Sequence, residues 1–156
     1  MPVIVNSVEI SDEQVFAEMQ YHPASSLAEA QERAATALAI RQLLLQEAAR
    51  LEITVPDTSA TQEVYEDFLI SRLLEQEVIT PEPDDTNCQR YYDSHQRIFQ
   101  DTAGNTVPFE YVKATIAAYL KDVSWQTAMK QYIKILAGKA QIAGIVLEGS
   151  DSPLVQ

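Results

Sequence analysis

Few side chains in this 156-residue sequence belong to the types that bind metals or act as nucleophiles. His22 and His95 are its two histidines and Cys88 is its one cysteine, so no internal disulfide can form. Cys88 and His95 are seven residues apart and fit one face of a helix, but two ligands do not complete a metal site. We therefore predict no metal and no cofactor.

Motifs for nucleophilic or acid–base catalysis are also absent from the sequence. A catalytic triad needs a histidine beside a serine or cysteine and a third orienting group, and no nucleophile elbow, P-loop or dinucleotide fingerprint occurs. The acidic pairs Glu66-Asp67 and Asp84-Asp85 fit helix caps and solvated helix faces better than catalytic carboxylates. These patterns predict no catalytic residue.

Aromatic side chains are the remaining candidates for function. Large rings with polar tips suit peptide-binding grooves, although most of them are expected to form the core. In the pair Tyr91-Tyr92 the two residues point about 100° apart on a helix, so one can pack inward while the other stays available. The residues that we predict to bind peptide are Tyr21, Tyr91, Tyr92, Phe99, Phe109, Tyr119 and Trp125.

The composition is that of an ordinary globular protein with a strongly acidic charge. Hydrophobic residues make up 46% of the chain, and 11 Lys+Arg against 23 Asp+Glu give a net charge of −12. This charge disfavours nucleic-acid phosphates and anionic membranes as partners, so we predict neither. The segment from Met1 to Asn6 lacks the basic and long apolar regions of a secretory signal, so we expect a cytoplasmic protein.

The lysines are concentrated in one part of the chain. Every lysine lies between Lys113 and Lys139, whereas residues 1–78 carry 14 acidic and 4 basic side chains. The cationic segment either docks against acidic residues of the same chain or forms a solvated helix face, where its lysines suit the helix dipole.

A small β element is predicted from two separate regions. Val3–Val5 and Val8–Ile10 are β-prone runs, and Asn6-Ser7 between them suits a two-residue hairpin turn. Ile142–Leu147 is also β-prone, and we expect it to return and pair with the hairpin. Residues 149–156 are predicted to form a loose tail.

Helices are predicted for most of the remaining chain. Ser11 and Ser26 each begin a capping box, the first opening a short helix and the second a long one from Leu27 to Leu51. Apolar residues nearly encircle this long helix, so we expect it to be central. The apolar residues predicted to face inward from the first three helices include Val15, Phe16, Met19, Leu27, Tyr65, Phe68, Leu69 and Leu73.

Two further helices follow a proline-rich connector. One begins at Asp84 or Asp85, and the final helix runs from Pro108 to about Gln141. The apolar stripe of the final helix changes face near Ser124. The helix is therefore expected either to bend there or to be contacted from different sides in its two halves.

Several short pieces of the sequence follow one another in an order that is similar to one protein family. The pieces are Val5–Ile10, Tyr21-His22-Pro23, Leu43–Ala48, Pro81-Glu82-Pro83, Tyr91-Tyr92 through His95 to Phe99, Pro108–Val112 and Tyr132–Ile142. Together they resemble the chaperone portion of the SurA/PpiC-type peptidyl-prolyl isomerases, most closely the NifM-like branch. The resemblance implies a mainly α fold, a helical domain like the SurA N-terminal domain, with a small β element formed by the hairpin and a C-terminal strand.

The sequence departs from the family's pattern at one position. In such proteins a parvulin isomerase domain of roughly a hundred residues separates the Tyr-Tyr…Phe element from the Pro-Phe-Glu helix. Only residues 100–107 occupy that position here. The resemblance thus implies one chaperone domain over residues 1–148, in which 1–99 and 108–148 are joined by this linker, and no isomerase catalysis.

The resemblance implies an ATP-independent chaperone or maturation factor. Its partner is expected to be an unfolded or immature client protein, with a metalloenzyme subunit as one example of a client. Two alternatives stay open. The first is a protein related to the isomerases that acts with a separate parvulin. The second is a homodimeric assembly module, in which the last helix is exchanged at the short hinge Gln100–Thr106.

Overall fold

The computed structural model describes residues 2–56 and 61–147. The protein is mainly helical, with one small antiparallel sheet, which confirms the predicted fold class at this level. Residue 148, at the end of the predicted domain, and the predicted tail at 149–156 lie outside the described residues. The elements are β1 (Val3–Val5), β2 (Val8–Ile10), α1 (Asp12–Glu18), a 3₁₀ turn (Met19–Tyr21), α2 (Leu27–Arg50), α3 (Gln62–Glu77), α4 (Asp85–Ser94), a second 3₁₀ turn (Gln96–Phe99), α5 (Phe109–Lys139) and β3 (Ile142–Ala143).

The three strands lie in the order β2-β1-β3 and confirm the predicted pairing. Asn6 and Ser7 both adopt positive φ, 48° and 76°, as a two-residue hairpin turn with the correct twist requires. Gln141 fixes the start of β3, because its amide donates to Asn6 Oδ1 at 2.8 Å. The residue that follows β3 must be glycine. A Cβ on Gly144 (φ +90°) would lie 2.4 Å from the carbonyl oxygen of Pro2, which is too close for any side chain. Strand β3 is shorter than predicted, because its pairing with β1 ends where Gly144 lies against the backbone of Pro2.

Two helix starts were predicted as capping boxes, and one of them forms completely. Ser11 Oγ accepts from the amide of Gln14, whose side-chain oxygen accepts from the amide of Ser11. Ser26 Oγ likewise accepts from the amide of Glu29 at 3.1 Å. The carboxylate of Glu29, however, accepts from the Ser25 hydroxyl at 2.7 Å and from Arg33 at 2.8 Å. The predicted box at Ser26 is therefore half formed.

The described chain divides into two compact units. The terminal unit contains the described residues of Met1–Val78 and Met129–Gln156, and the middle unit contains Ile79–Ala128. Helix α5 contributes residues to both, since it crosses from one to the other at Ala128. The single chaperone domain over residues 1–148 remains a prediction.

The core of the terminal unit is built around α2, as predicted. Successive buried residues of α2 pack against the sheet, against α1 and against the last turns of α5. Burial of these apolar side chains is the main source of stability for the unit. Its fully or almost fully buried residues include Val5, Ala34, Ala39, Ile40, Leu44 and Leu73.

Three residues predicted to face inward are exposed instead. Phe16 and Leu27 are each 75% exposed, and Phe68 is about half exposed. Helix α1 spans two turns and buries one residue, Val15, so its neighbour Phe16 points about 100° away from the core. Leu27 is the first residue of α2 and precedes the segment that the other elements cover. On α3 the buried residue is Leu73, and Phe68 lies off that face.

In the middle unit, ion pairs join the cationic helix to acidic residues near the start of α4. Lys113 Nζ lies 3.0 Å from Asp85 Oδ2, and Lys121 pairs with Glu82. The prediction that the lysine-rich segment docks against acidic residues of the same chain is confirmed for these two lysines.

Candidate functional site

Five of the seven aromatic residues predicted to bind peptide form one cluster in the middle unit. The ring centroids of Tyr91 and Tyr119 are 5.4 Å apart, and those of Tyr92 and Phe99 are 5.1 Å apart. Phe109 joins the cluster through an edge contact of 5.5 Å with Tyr92. Edge and tilted contacts at these distances are the favoured geometries for aromatic pairs.

Tyr92 holds the cluster to the backbone. Its hydroxyl donates to the carbonyl oxygen of Val107 at 2.7 Å, and its ring contacts Phe99 on one side and Phe109 on the other. Tyr92 therefore connects α4 to the chain that precedes α5. Its hydrogen bond and ring contacts stabilise the fold of the middle unit.

Tyr91 has a different environment from its neighbour. Its ring stacks on His95, with centroids 4.0 Å apart and planes 17° apart. His95 Nδ1 donates to the carbonyl oxygen of Tyr91 at 2.8 Å, which fixes the imidazole and leaves Nε2 as an acceptor in the neutral ring. Burial, and then the neighbouring Tyr119, raise the pKa of Tyr91, so this phenol stays protonated at neutral pH.

A groove of about 590 Å³ lies beside this stacked pair. One wall is α4, the opposite wall is the middle of α5, and the proline-rich connector before α4 closes one end. Its lining combines apolar surface with hydrogen-bond donors and hydrogen-bond acceptors. The lining residues are Pro81, Glu82, Pro83, Asp84, Asn87, Arg90, Tyr91, Ser94, His95, Leu120 and Ser124.

Local interactions fix the connector end of the groove. The two prolines of Pro81-Glu82-Pro83 restrict φ and present apolar rings. Asp84 caps α4 in a complete capping box, because its carboxylate accepts from the amide of Asn87 at 2.7 Å and its own amide donates to the Asn87 side chain at 3.2 Å. The ion pair between Glu82 and Lys121 links the connector to α5. The groove is thus formed by side chains that are already held in place.

The polar groups of the groove can bond to a peptide backbone. Asp84 and Glu82 supply carboxylate acceptors, while Arg90 and Ser124 supply donors. The Ser94 hydroxyl already donates to the carbonyl oxygen of Arg90 at 2.8 Å, so its oxygen can accept. Leu120 and the Tyr91 ring provide apolar contact between these groups. An extended polypeptide, which alternates backbone donors and acceptors with side chains, matches this arrangement.

The other two predicted residues, Tyr21 and Trp125, are not among the contacting rings of the cluster. Tyr21 belongs to the terminal unit, where it is exposed at the end of a 3₁₀ turn. Trp125 is half-buried on α5, one residue beyond Ser124, which lines the groove. No observation assigns either residue to the groove.

Several groove residues were missed by sequence reasoning. His95 follows Tyr91 by four residues, a spacing that places both on one helix face and could have indicated the stacked pair. The prolines of the connector were not included among the residues predicted to bind peptide. Leu120 and Ser124 could not have been paired with α4 from the sequence, because their contact depends on how two helices pack.

The predicted linker at residues 100–107 is a closed turn. The amide of Val107 donates to the carbonyl oxygen of Phe99 at 2.6 Å. The amide of Asp101 donates to the carbonyl oxygen of Asn105 at 2.8 Å. Asp101 Oδ1 in turn accepts from the amide of Asn105 at 2.9 Å. The linker therefore holds α4 and α5 close together through its own hydrogen bonds.

Across residues 2–56 and 61–147, no group of three or more His, Cys, Asp and Glu residues is placed to hold a metal ion. Cys88 is buried, with a free thiol. None of the helices described is both long and apolar enough to span a bilayer.

Comparison with known proteins adds no relative. No protein-family model matches the sequence, no curated protein matches it, and no solved structure matches the fold. The resemblance to the SurA/PpiC-type family remains a prediction from the order of the sequence pieces.

Proposed function

We propose that this protein is an ATP-independent chaperone or maturation factor that binds unfolded or partly folded polypeptides, without isomerase activity of its own. The observation that supports the proposal is the groove beside Tyr91, where an aromatic stack and Leu120 lie among hydrogen-bond donors and acceptors. We place its action in the cytoplasm as part of the same proposal.

Binding in the groove would combine apolar contact with backbone hydrogen bonds. Tyr91 is held by His95 and Tyr119, so its ring loses little freedom when a client packs against it. Preorganisation of this kind lowers the entropic cost of binding. Bonds to the client backbone add affinity with little sequence preference, which suits a chaperone with varied clients.

The charge of the protein favours basic clients. The chain carries a net charge of −12, and both Glu82 and Asp84 lie at the groove. Complementary charge increases the rate of encounter and disfavours partners of the same sign. Client segments with lysine or arginine near an apolar residue are therefore expected to bind best.

Without a nucleotide cycle, the protein acts by mass action. A protein that binds the unfolded chain lowers its free concentration in proportion to affinity and amount. Protection against aggregation is expected to saturate near one protein molecule per exposed client segment.

The direct experiment follows light scattering from a chemically denatured client that is diluted into buffer with the protein. We expect suppression at stoichiometric amounts. Tyr91→Ala should need at least about fivefold more protein, because loss of the ring contact should cost about 1 kcal/mol of binding free energy and each 1.4 kcal/mol is a factor of ten in affinity. Tyr111→Ala is the matched control, since Tyr111 lies on α5 of the same unit and is 80% exposed outside the groove lining. Equal protection by Tyr91→Ala and the wild type would remove the groove from the proposal.

A second assay separates binding from catalysis. We expect the cis–trans isomerisation of a proline-containing peptide to proceed at the uncatalysed rate when the protein is added, on the scale of tens of seconds or longer at 25 °C. Acceleration that scales with protein concentration would favour the alternative of an isomerase-related function.

A further inference from the structure

A second groove lies in the terminal unit, between α1 and the first turn of α2. It measures about 470 Å³, and the buried Val15 and half-buried Met19 line it. Phe16 and Leu27 also line it and are each 75% exposed, although both are large and apolar. Two such side chains beside one concave surface form the kind of apolar site that marks an interaction surface.

The charged side chains that line this groove are acidic. Asp12 and Glu13 line it, and no lysine or arginine occurs in the sequence before Arg33. Arg33 is itself occupied, because its guanidinium donates to Glu29 at 2.8 Å and to the carbonyl oxygen of Pro23 at 3.2 Å. A complementary partner must therefore bring cationic side chains beside its apolar ones.

The backbone around the groove limits the form of the partner. The groove is lined by residues of α1, the 3₁₀ turn that follows it and α2, and the carbonyl groups inside α1 and α2 are bonded along each helix. An extended strand would therefore not find here the row of alternating donors and acceptors that a sheet edge offers. A helix satisfies its own backbone and binds through side chains on one face, the usual mode for apolar grooves between helices.

We propose that this groove binds an amphipathic basic helix of a partner protein. Large apolar side chains of that helix would cover Phe16 and Leu27, and its lysines or arginines would lie near Asp12 and Glu13. The proposal concerns the terminal unit and does not depend on the groove beside Tyr91.

The test uses the full chain and a fluorescent peptide of about 18 residues, long enough to form a helix, with leucines on one face and lysines on the other. Fluorescence anisotropy should show saturable binding. A peptide with the same leucines and glutamate in place of lysine should bind at least about tenfold more weakly. Since exposed charges are screened by salt, affinity for the lysine peptide should also fall between low and high ionic strength.

Variants identify the groove. Phe16→Ala/Leu27→Ala should weaken binding at least about tenfold, and Phe68→Ala, which removes a half-exposed aromatic ring from α3 of the same unit, should not. Glu13→Lys provides an independent charge reversal on the same rim, and it too should weaken binding of the lysine peptide. Circular dichroism would verify that each variant keeps the helical content of the wild type.

Three outcomes would overturn the proposal. The first is equal affinity of the wild type and Phe16→Ala/Leu27→Ala for the lysine peptide. The second is loss of peptide binding in Tyr91→Ala with retention in Phe16→Ala/Leu27→Ala, which would assign the peptide to the middle unit. The third is a wild-type dimer in sedimentation that Phe16→Ala/Leu27→Ala dissociates, which would make a second copy of this chain the occupant.

Discussion

Apolar side chains from the sheet and from helices α1, α2, α3 and α5 form the core of the terminal unit, whereas the middle unit depends on other interactions. Of the buried apolar residues in the described part of the chain, those that belong to the middle unit are Cys88 and Ile116. Aromatic contacts, the Tyr92 hydrogen bond, two ion pairs and a closed turn supply the rest. The middle unit keeps its aromatic rings half-exposed, and that leaves Tyr91 accessible at the groove.

The two units differ in how much of their apolar area is buried and how much stays exposed for binding. Apolar area that a core buries is lost to partners, while area that remains exposed lowers local stability. The terminal unit favours stability, and it leaves the apolar side chains of Phe16 and Leu27 exposed at a groove. The middle unit uses fewer buried residues and leaves a groove with both apolar and polar groups.

The largest expected change in the free energy of unfolding comes from a substitution in the core of the terminal unit. Leu44 is fully buried on α2, so Leu44→Ala should lower the free energy of unfolding by about 3 kcal/mol through lost apolar burial and a cavity. Urea denaturation followed by circular dichroism measures this. Leu27→Ala, on the same helix but 75% exposed, should change it by less than about 0.5 kcal/mol. Similar losses in both variants would refute a core centred on α2.

A stabilising substitution is expected in the same unit. The Tyr132 hydroxyl is buried and has no hydrogen-bond partner within the described part of the chain. Burial, with the negative charges of Glu47 and Glu77, raises the pKa of Tyr132 from 10.0 to about 12. Tyr132→Phe removes an unsatisfied polar group, so it should raise the free energy of unfolding at pH 7 by about 1 to 2 kcal/mol.

The same substitution has a pH signature. Between pH 10 and about 12 the unfolded chain releases the Tyr132 proton while the folded chain keeps it, so rising pH favours unfolding. This contribution to stability is complete below pH 10 and is lost as pH rises through about 12. Tyr132→Phe should lack that part of the alkaline loss in urea titrations at successive pH values. An unchanged alkaline slope would contradict the assignment.

The smallest expected change in the free energy of unfolding comes from a substitution in the middle unit. Tyr92→Phe removes the hydrogen bond to the Val107 carbonyl and keeps the ring contacts, so it should lower the free energy of unfolding by about 1 kcal/mol. Hydrogen exchange should show the loss around α4 and the turn, with α2 unchanged. Tyr111→Phe, which alters a hydroxyl on an 80% exposed ring, is the matched control and should have no measurable effect. A loss spread evenly over both units would argue against separate stabilisation.

Local signals in the sequence predicted the elements well. Ser11, Asp84 and Pro108 mark helix starts, because capping side chains and a fixed φ act within a few residues. The Asn6-Ser7 turn also follows from short-range chemistry. The return of β3 to β1 is a long-range pairing, and it was predicted from the β-prone residues of that segment. Elements whose ends are fixed locally can be read from the sequence.

Exposure and the groove depend on packing that a single sequence does not specify. Periodicity predicted inward positions for Phe16 and Phe68, yet nothing in the spacing shows how far a covering element extends. The aromatic cluster was anticipated as a set of residues. Its division into a structural Tyr92 and an accessible Tyr91 depends on where Val107, Phe109 and Tyr119 pack.

The closed turn between α4 and α5 has a practical consequence for protein engineering. The turn begins at Phe99 and ends at Val107, where the amide nitrogen of Val107 lies 2.6 Å from the carbonyl oxygen of Phe99. Exposed polar turns with adjacent ends are the sites where circular permutation and domain insertion succeed most often. A reporter protein whose own termini lie side by side can be grafted between Asp101 and Asn105, with the helices on either side of the turn left in place.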